Sequence, residues 1–170
     1  SASGERALPL EQLWIGPGAT AADPRELLVR VDVPAPAPTT GSAYVRLEYR
    51  RQMEIAVVGV TAVVRLDAGS VSDARVAITA LAPTIRRVSE AEAALIGSDG
   101  GDEAIAEAAR AAASGSSPIT DVRSSAEYRS AMANVIARRA IVVALARARG
   151  EHVPIPASAA TYASVGGTST

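Results

Sequence analysis

Lysine, cysteine and phenylalanine are absent from this 170-residue chain, and histidine occurs once. Without cysteine there is no disulfide framework, no thiolate metal site, no cysteine nucleophile and no iron–sulfur cluster ligated by this chain alone. The single His152 lies in a Pro/Ala/Ser-rich stretch, and one isolated imidazole makes neither a Ser-His-Asp triad nor a three-ligand metal site. One tryptophan and four tyrosines are too sparse for a nucleic-acid stacking platform. A formal net charge of -1, with both signs interspersed, leaves no electrostatic footprint for nucleic acid or an anionic membrane. No uninterrupted apolar span is long enough to cross a bilayer, and the start SASGERALPL lacks the basic-then-apolar order of a signal peptide. A cytoplasmic setting is the expectation.

What is present is apolar and arginine-rich. All seventeen basic residues are arginines, which stay charged and present planar, fork-shaped donors, so their placement matters more than their number. At 48% hydrophobic residues the chain can bury one sizeable core without a disulfide or metal.

Prolines and glycines divide the chain. In residues 1–34, Gly16-Pro17-Gly18 and Asp23-Pro24 punctuate as turns, and LLVRVDV (27–33) alternates like a strand. PAPAPTTG (34–41) reads as a stiff, extended linker, which places a boundary near residue 40. Three strand candidates follow: YVRLEYR (44–50), EIAVVGVTAVVRL (54–66) and VSDARVAITAL (71–81). The short connection Asp67-Ala68-Gly69-Ser70 predicts an antiparallel hairpin between the second and third. Gly59 within the long strand signals a bulge, a close backbone approach or relief of packing.

Helices come after the strands. Ser89 with Glu92 and Ser124 with Glu127 match the capping-box pattern, and Gly97 marks the end of the first helix. DEAIAEAARAAA (102–113) is rich in strong helix formers. From Ser124 to about Arg149, apolar residues recur at Tyr128, Met132, Val135, Ile136, Val142 and Leu145. Strands followed by helices predict an α+β fold: an antiparallel three- to four-stranded sheet packed on a layer of about three helices. Residues 150–170 read as a flexible tail.

No motif builds a self-contained active site. Gly16-Pro17-Gly18 lacks the strand-to-helix setting and lysine of a phosphate loop, so it reads as a turn. Arg50-Arg51 either holds an anionic ligand or forms the solvated approach to a strand, paired with Glu48 and Glu54. Composition alone favours solvation. Arg138-Arg139 falls inside the long helix, where one faces water and the other pairs with an acid or a partner subunit. Asp121-Val122-Arg123 suggests a local ion pair fixing the approach to that helix.

Five ordered segments, SGERALPLEQLWIGPG, ELLVRVDVP, AYVRLEYRRQMEIAVVGVTAVVRLD, ARVAITALAPTIRRVSEAEAALIG and PITDVRSSAEYRSAMANVIARRA, resemble the FAD-carrying medium subunit of molybdenum hydroxylases. That group contains carbon monoxide dehydrogenase, xanthine dehydrogenase and aldehyde oxidase. The resemblance runs from about residue 1 to 149 and lacks the family's glycine-rich, phosphate-holding loops. It implies that residues 1–34 are the end of the FAD-binding domain, 35–41 a linker and 42–149 the whole carboxy-terminal domain.

By the same resemblance, Leu28 packs on the isoalloxazine ring and Arg46 takes the place of the family's cationic contact. Arg51 lies on a segment close to the flavin, and Tyr44 joins the cofactor-binding set. The implied function is part of a subunit passing electrons from molybdenum and [2Fe–2S] centres through FAD to an external acceptor. Molybdopterin and the clusters would then reside on a large and a small partner subunit, and the flavin diphosphate would be held by an amino-terminal portion or chain. The missing catalytic constellation fits, because protein around a flavin supplies position and electrostatics rather than a nucleophile. The competing expectation is a non-enzymatic α+β binding or assembly module that does not bind FAD alone.

Overall fold

The computed structural model describes residues 4–50 and 53–154. Strands β1 (Trp14–Gly16) and β2 (Ala19–Thr20) form a small hairpin, then come β3 (Thr40–Leu47), β4 (Val58–Asp67), β5 (Ser70–Thr79) and β6 (Arg86–Arg87). Helices α1 (Ser89–Leu95), α2 (Asp102–Ser114) and α3 (Ala126–Ala148) complete the order. The four later strands make one antiparallel sheet in the order β3-β4-β5-β6. The fold is therefore α+β as expected, with four strands in the sheet, the upper end of the expected three to four, and three helices.

Period-two alternation builds the sheet. Ala43 and Val45 on β3, Val58, Val60, Ala62 and Val64 on β4, and Val76 and Ile78 on β5 are all buried. These side chains meet the helices, while Tyr44, Arg46, Thr61 and Ala77 point the other way. Each fully buried valine, leucine or isoleucine contributes roughly 1.5–3 kcal/mol of transfer free energy. The hairpin between β4 and β5 turns on Ala68 (φ 48°) and Gly69 (φ 85°), both left-handed, as a two-residue connection requires.

Small residues bring α3 onto the sheet. Gly41 on β3 is so close to the helix that a Cβ there would run into the Ala144 carbonyl oxygen and the Ala148 nitrogen. The buried stripe of α3 is Arg129, Ala133, Ile136, Ala137, Ala140, Ile141 and Ala144, ending at Ala148. This corrects the stripe expected from large apolar residues: Ile136 and Leu145 are buried, but Tyr128 and Val142 are exposed. Alanine permits closer approach, so it takes the inner positions. Arg147 leaves the helix to donate to the Ser42 carbonyl on the outer strand β3 at 2.6 Å and to the Pro154 carbonyl at 2.9 Å.

Three further expectations need correction. LLVRVDV forms no strand: residues 27–33 have no ladder partners, and Leu27, Leu28, Val29, Val31 and Val33 are exposed. An alternating segment becomes a strand only when another strand satisfies its backbone, and the described chain supplies none. Glu92 does not close a capping box, because its carboxylate accepts from the Val76 N–H of β5 at 3.0 Å and binds Arg87 bidentately at 2.8 and 2.7 Å. The third helix is capped by Ser125 rather than Ser124, its hydroxyl accepting from the Tyr128 N–H at 3.2 Å. The expected tail lies outside the described residues from residue 155 onward.

Candidate functional site

Tyr44 and Arg46 stand two residues apart on β3, on the face turned away from the helices. Tyr44 lies opposite Thr61 and Arg46 opposite Gly59. The Tyr44 side chain leans along the strand, so that its hydroxyl would be 2.7 Å from a Cβ built on Gly59 and its Cε2 3.1 Å away. Gly59 thus relieves packing against an aromatic side chain, and neither the expected bulge nor a close backbone approach occurs there. Tyr44 remains 42% exposed. Burial pushes its phenol pKa up, opposed by nearby Arg46 and assisted by Glu48.

Arg46 is half-buried and forms an ion pair through Nε with Glu48 Oε2, itself nearly buried. The contact brings opposite charges together without hydrogen-bond alignment, leaving Glu48 Oε2 without a hydrogen-bond donor. Glu48 therefore serves Arg46, and Glu54 pairs with Arg50 at 3.4 Å. A glutamate two residues after an arginine on a strand shares its face, which was the available sequence signal.

Leu28 is 76% exposed on the segment before β3, so the described structure packs nothing firmly against it. Arg51 lies outside the described residues.

A second polar cluster fixes the segment between β3 and β4. Tyr49 Oη donates to the Arg123 carbonyl, and Arg129 Nη1 donates to the Val57 carbonyl at 2.7 Å. Arg129 is only 3% exposed. Its Nη2 donates to Asp121 Oδ1 at 2.7 Å, while Asp121 also accepts from the Arg123 and Ser124 backbone N–H groups at 2.9 and 3.2 Å. Those donors, the Arg123 N–H first and then the Arg129 guanidinium, hold the Asp121 carboxyl down at about 2. The expected Asp121–Arg123 ion pair forms at 3.3 Å. Arg129 was missed, although an arginine at the first position of an otherwise apolar helical stripe was its signal.

Beside this cluster is an apolar cleft of about 320 Å³ lined by Ile55, Ala56, Ala80, Pro83, Pro118 and Ile119, with Asp121 and Arg129 at its wall. Among the described residues no cluster of three or more His, Cys, Asp or Glu could hold a metal ion. No described helix is long and apolar enough to cross a membrane. Arg138 pairs with Asp102 at 2.9 Å, tying α3 to the start of α2.

An aromatic side chain beside a fixed cation fits one side of a planar, electron-accepting ring such as a flavin. The same residues offer no cradle for a diphosphate. Pro17-Gly18 turns the small hairpin, and a Cβ at Gly16 or Gly18 would meet nothing within 4 Å.

The family described as CO dehydrogenase flavoprotein C-terminal domain matches residues 43–144. This chain belongs to that family. The carbon monoxide dehydrogenase medium chain of Hydrogenophaga pseudoflava is 35% identical over 145 residues, covering 85% of this chain and 50% of that protein. A solved carbon monoxide dehydrogenase from the same organism superposes with a TM-score of 0.81 at 39% identity, over 85% of this chain and 50% of its own. Subunit alpha of the 6-hydroxypseudooxynicotine dehydrogenase complex of Paenarthrobacter nicotinovorans is 36% identical over 88% of this chain and 50% of itself. A putative xanthine dehydrogenase FAD-binding subunit of Escherichia coli is 28% identical over 89% of this chain and 52% of itself. The chain spans about half the length of these relatives. The family match runs from within β3 to within α3, and Tyr44, Arg46 and Gly59 all fall inside it.

Proposed function

We propose that this chain supplies one wall of a flavin site in the FAD-containing subunit of a molybdenum hydroxylase-type oxidoreductase. The observation that carries the reading is the Tyr44–Arg46 pair on the helix-free face of β3, in a domain whose family is defined by flavoproteins. FAD, when bound, supplies the redox chemistry, taking electrons that originate at molybdenum and [2Fe–2S] centres and passing them to an external acceptor. Tyr44 offers an apolar ring that keeps water from one side of the cofactor, and Arg46 a permanent positive charge that favours electron-rich forms of a neighbouring group. Glu48 holds the Arg46 guanidinium in place and tempers its field. Leu28 and Arg51 complete the proposed flavin contacts.

Residues 1–34 are, in this reading, the end of the FAD-binding domain, 35–41 a linker, 42–149 the carboxy-terminal domain and 150–170 a tail. The diphosphate-holding loops come from an amino-terminal portion or chain. Molybdopterin and the clusters belong to a large and a small partner subunit. The exposed, alternating residues 27–33 support this division, since they present an apolar row with no strand beside it. The test is assembly with the glycine-rich portion and measurement of flavin absorbance. Stoichiometric FAD in the assembled material supports the proposal, and a stable, colourless assembly without flavin affinity overturns it in favour of a binding or assembly module.

A further inference from the structure

Resting on the flavin-wall reading, we propose that Gly59 is a positioning residue: the absence of a side chain there lets Tyr44 lie down along β3, so that its ring and Arg46 form one continuous surface. Tyr44 is directly opposite Thr61, yet its phenol end reaches Gly59, which is the residue opposite Arg46. The ring therefore crosses from its own row of the sheet into the Arg46 row.

A Cβ at Gly59 would meet Oη at 2.7 Å, Cε2 at 3.1 Å and Cζ at 3.2 Å. The obstacle is the far end of a rotatable side chain, so the backbone could stay in place while Tyr44 swings out toward solvent. Gly41 provides the contrast, because a Cβ there collides with the backbone of α3 and no rotation relieves it. Gly41 is needed by the fold, whereas at Gly59 the three atoms nearest a Cβ all belong to the Tyr44 side chain. Gly59 is the second residue of β4, paired in the ladder and without a positive φ, so neither turn geometry nor backbone strain accounts for the glycine. Raised out of its place, Tyr44 would occupy the volume above the sheet that a planar ligand beside Arg46 needs. The upward displacement of the phenol pKa by burial reports the same packing, and Arg46 and Glu48 are the charged groups acting on it.

The experiment compares Gly59→Ala, Tyr44→Ala and the double variant, with Tyr44→Phe used to assign the Tyr44 ring signal in NMR spectra of the ring-labelled chain. Gly59→Ala is expected to shift the Tyr44 ring resonances, leave those of Tyr128 in place, and let the Tyr44 phenol ionise at lower pH. In the assembled, FAD-containing protein it is expected to weaken FAD binding roughly two- to tenfold, by about as much as Tyr44→Ala and without adding to it in the double variant. An unmoved Tyr44 ring in Gly59→Ala overturns the proposal. So does a moved ring with full FAD affinity when Tyr44→Ala lowers it. If Tyr44→Ala itself leaves FAD binding unchanged, the flavin-wall reading falls, and the positioning claim is then decided by the ring resonances alone.

Discussion

Arg129 Nη2 donates to Asp121 Oδ1 at 2.7 Å while Nη1 of the same guanidinium donates to the Val57 carbonyl at 2.7 Å, so one buried side chain ties the start of α3 to the start of β4. Replacing it with methionine fills the volume but leaves the buried Val57 carbonyl without a donor. A loss of roughly 1–3 kcal/mol is expected, read as a lower urea midpoint. Arg129→Lys should not rescue it, because one ammonium cannot reproduce the planar fork that serves both partners. An unchanged midpoint in Arg129→Met would remove the cluster from any role in holding this segment.

The same cluster gives stability a defined acid limit. The folded-state pKa of Asp121 is depressed from 3.8 to about 2, so its contribution is fully present above the unfolded value and lost as pH falls through the folded one. Stability should therefore be insensitive to this group above about pH 4 and decline between about pH 4 and 2. Glu26, held at about 2 by Arg6, adds to the decline in the same window. Asp121→Asn should flatten part of the curve of urea midpoint against pH. A variant curve parallel to that of the unmodified chain would contradict the assignment.

Gly41→Ala tests the contact between β3 and α3. Its Cβ has only helix backbone to displace, so the cost should reach or exceed the upper end of the roughly 1–3 kcal/mol usual for overpacking. Thermal unfolding distinguishes it from Gly59→Ala, which should keep near-normal stability. Equal losses in the two variants would contradict the distinction between backbone and side-chain obstruction.

Residues 27–33 provide a test by hydrogen exchange. Alone, their amides should exchange without ladder protection, and on assembly with the preceding FAD-binding portion they should become protected as a strand. Continued free exchange in the assembly would show that the alternating pattern has no pairing role.

Much of the sheet was legible because its strands use β-branched residues at alternate positions, and the two-residue connection at Ala68-Gly69 announces itself by composition. The inner face of α3 was hidden because alanines carry it, and periodicity read on large side chains picked Tyr128 and Val142 instead. LLVRVDV has the local pattern of a strand, but pairing depends on a partner that local pattern cannot supply. Glu92 matched a capping box in spacing, yet an unpaired N–H on β5 and Arg87 together claimed its carboxylate. Arg46 and Tyr44 were visible as candidates. Their union over Gly59 required the register of β3 against β4, which no single segment encodes.

The most direct test of the flavin wall is the FAD dissociation constant of the complete assembly, followed by flavin fluorescence, for the unmodified protein and for a Tyr44→Ala/Arg46→Ala variant. The account predicts bound, visible flavin in the unmodified assembly and binding weakened by roughly tenfold or more in the variant, with the fold intact by circular dichroism. Equal FAD affinity in the two proteins would contradict it.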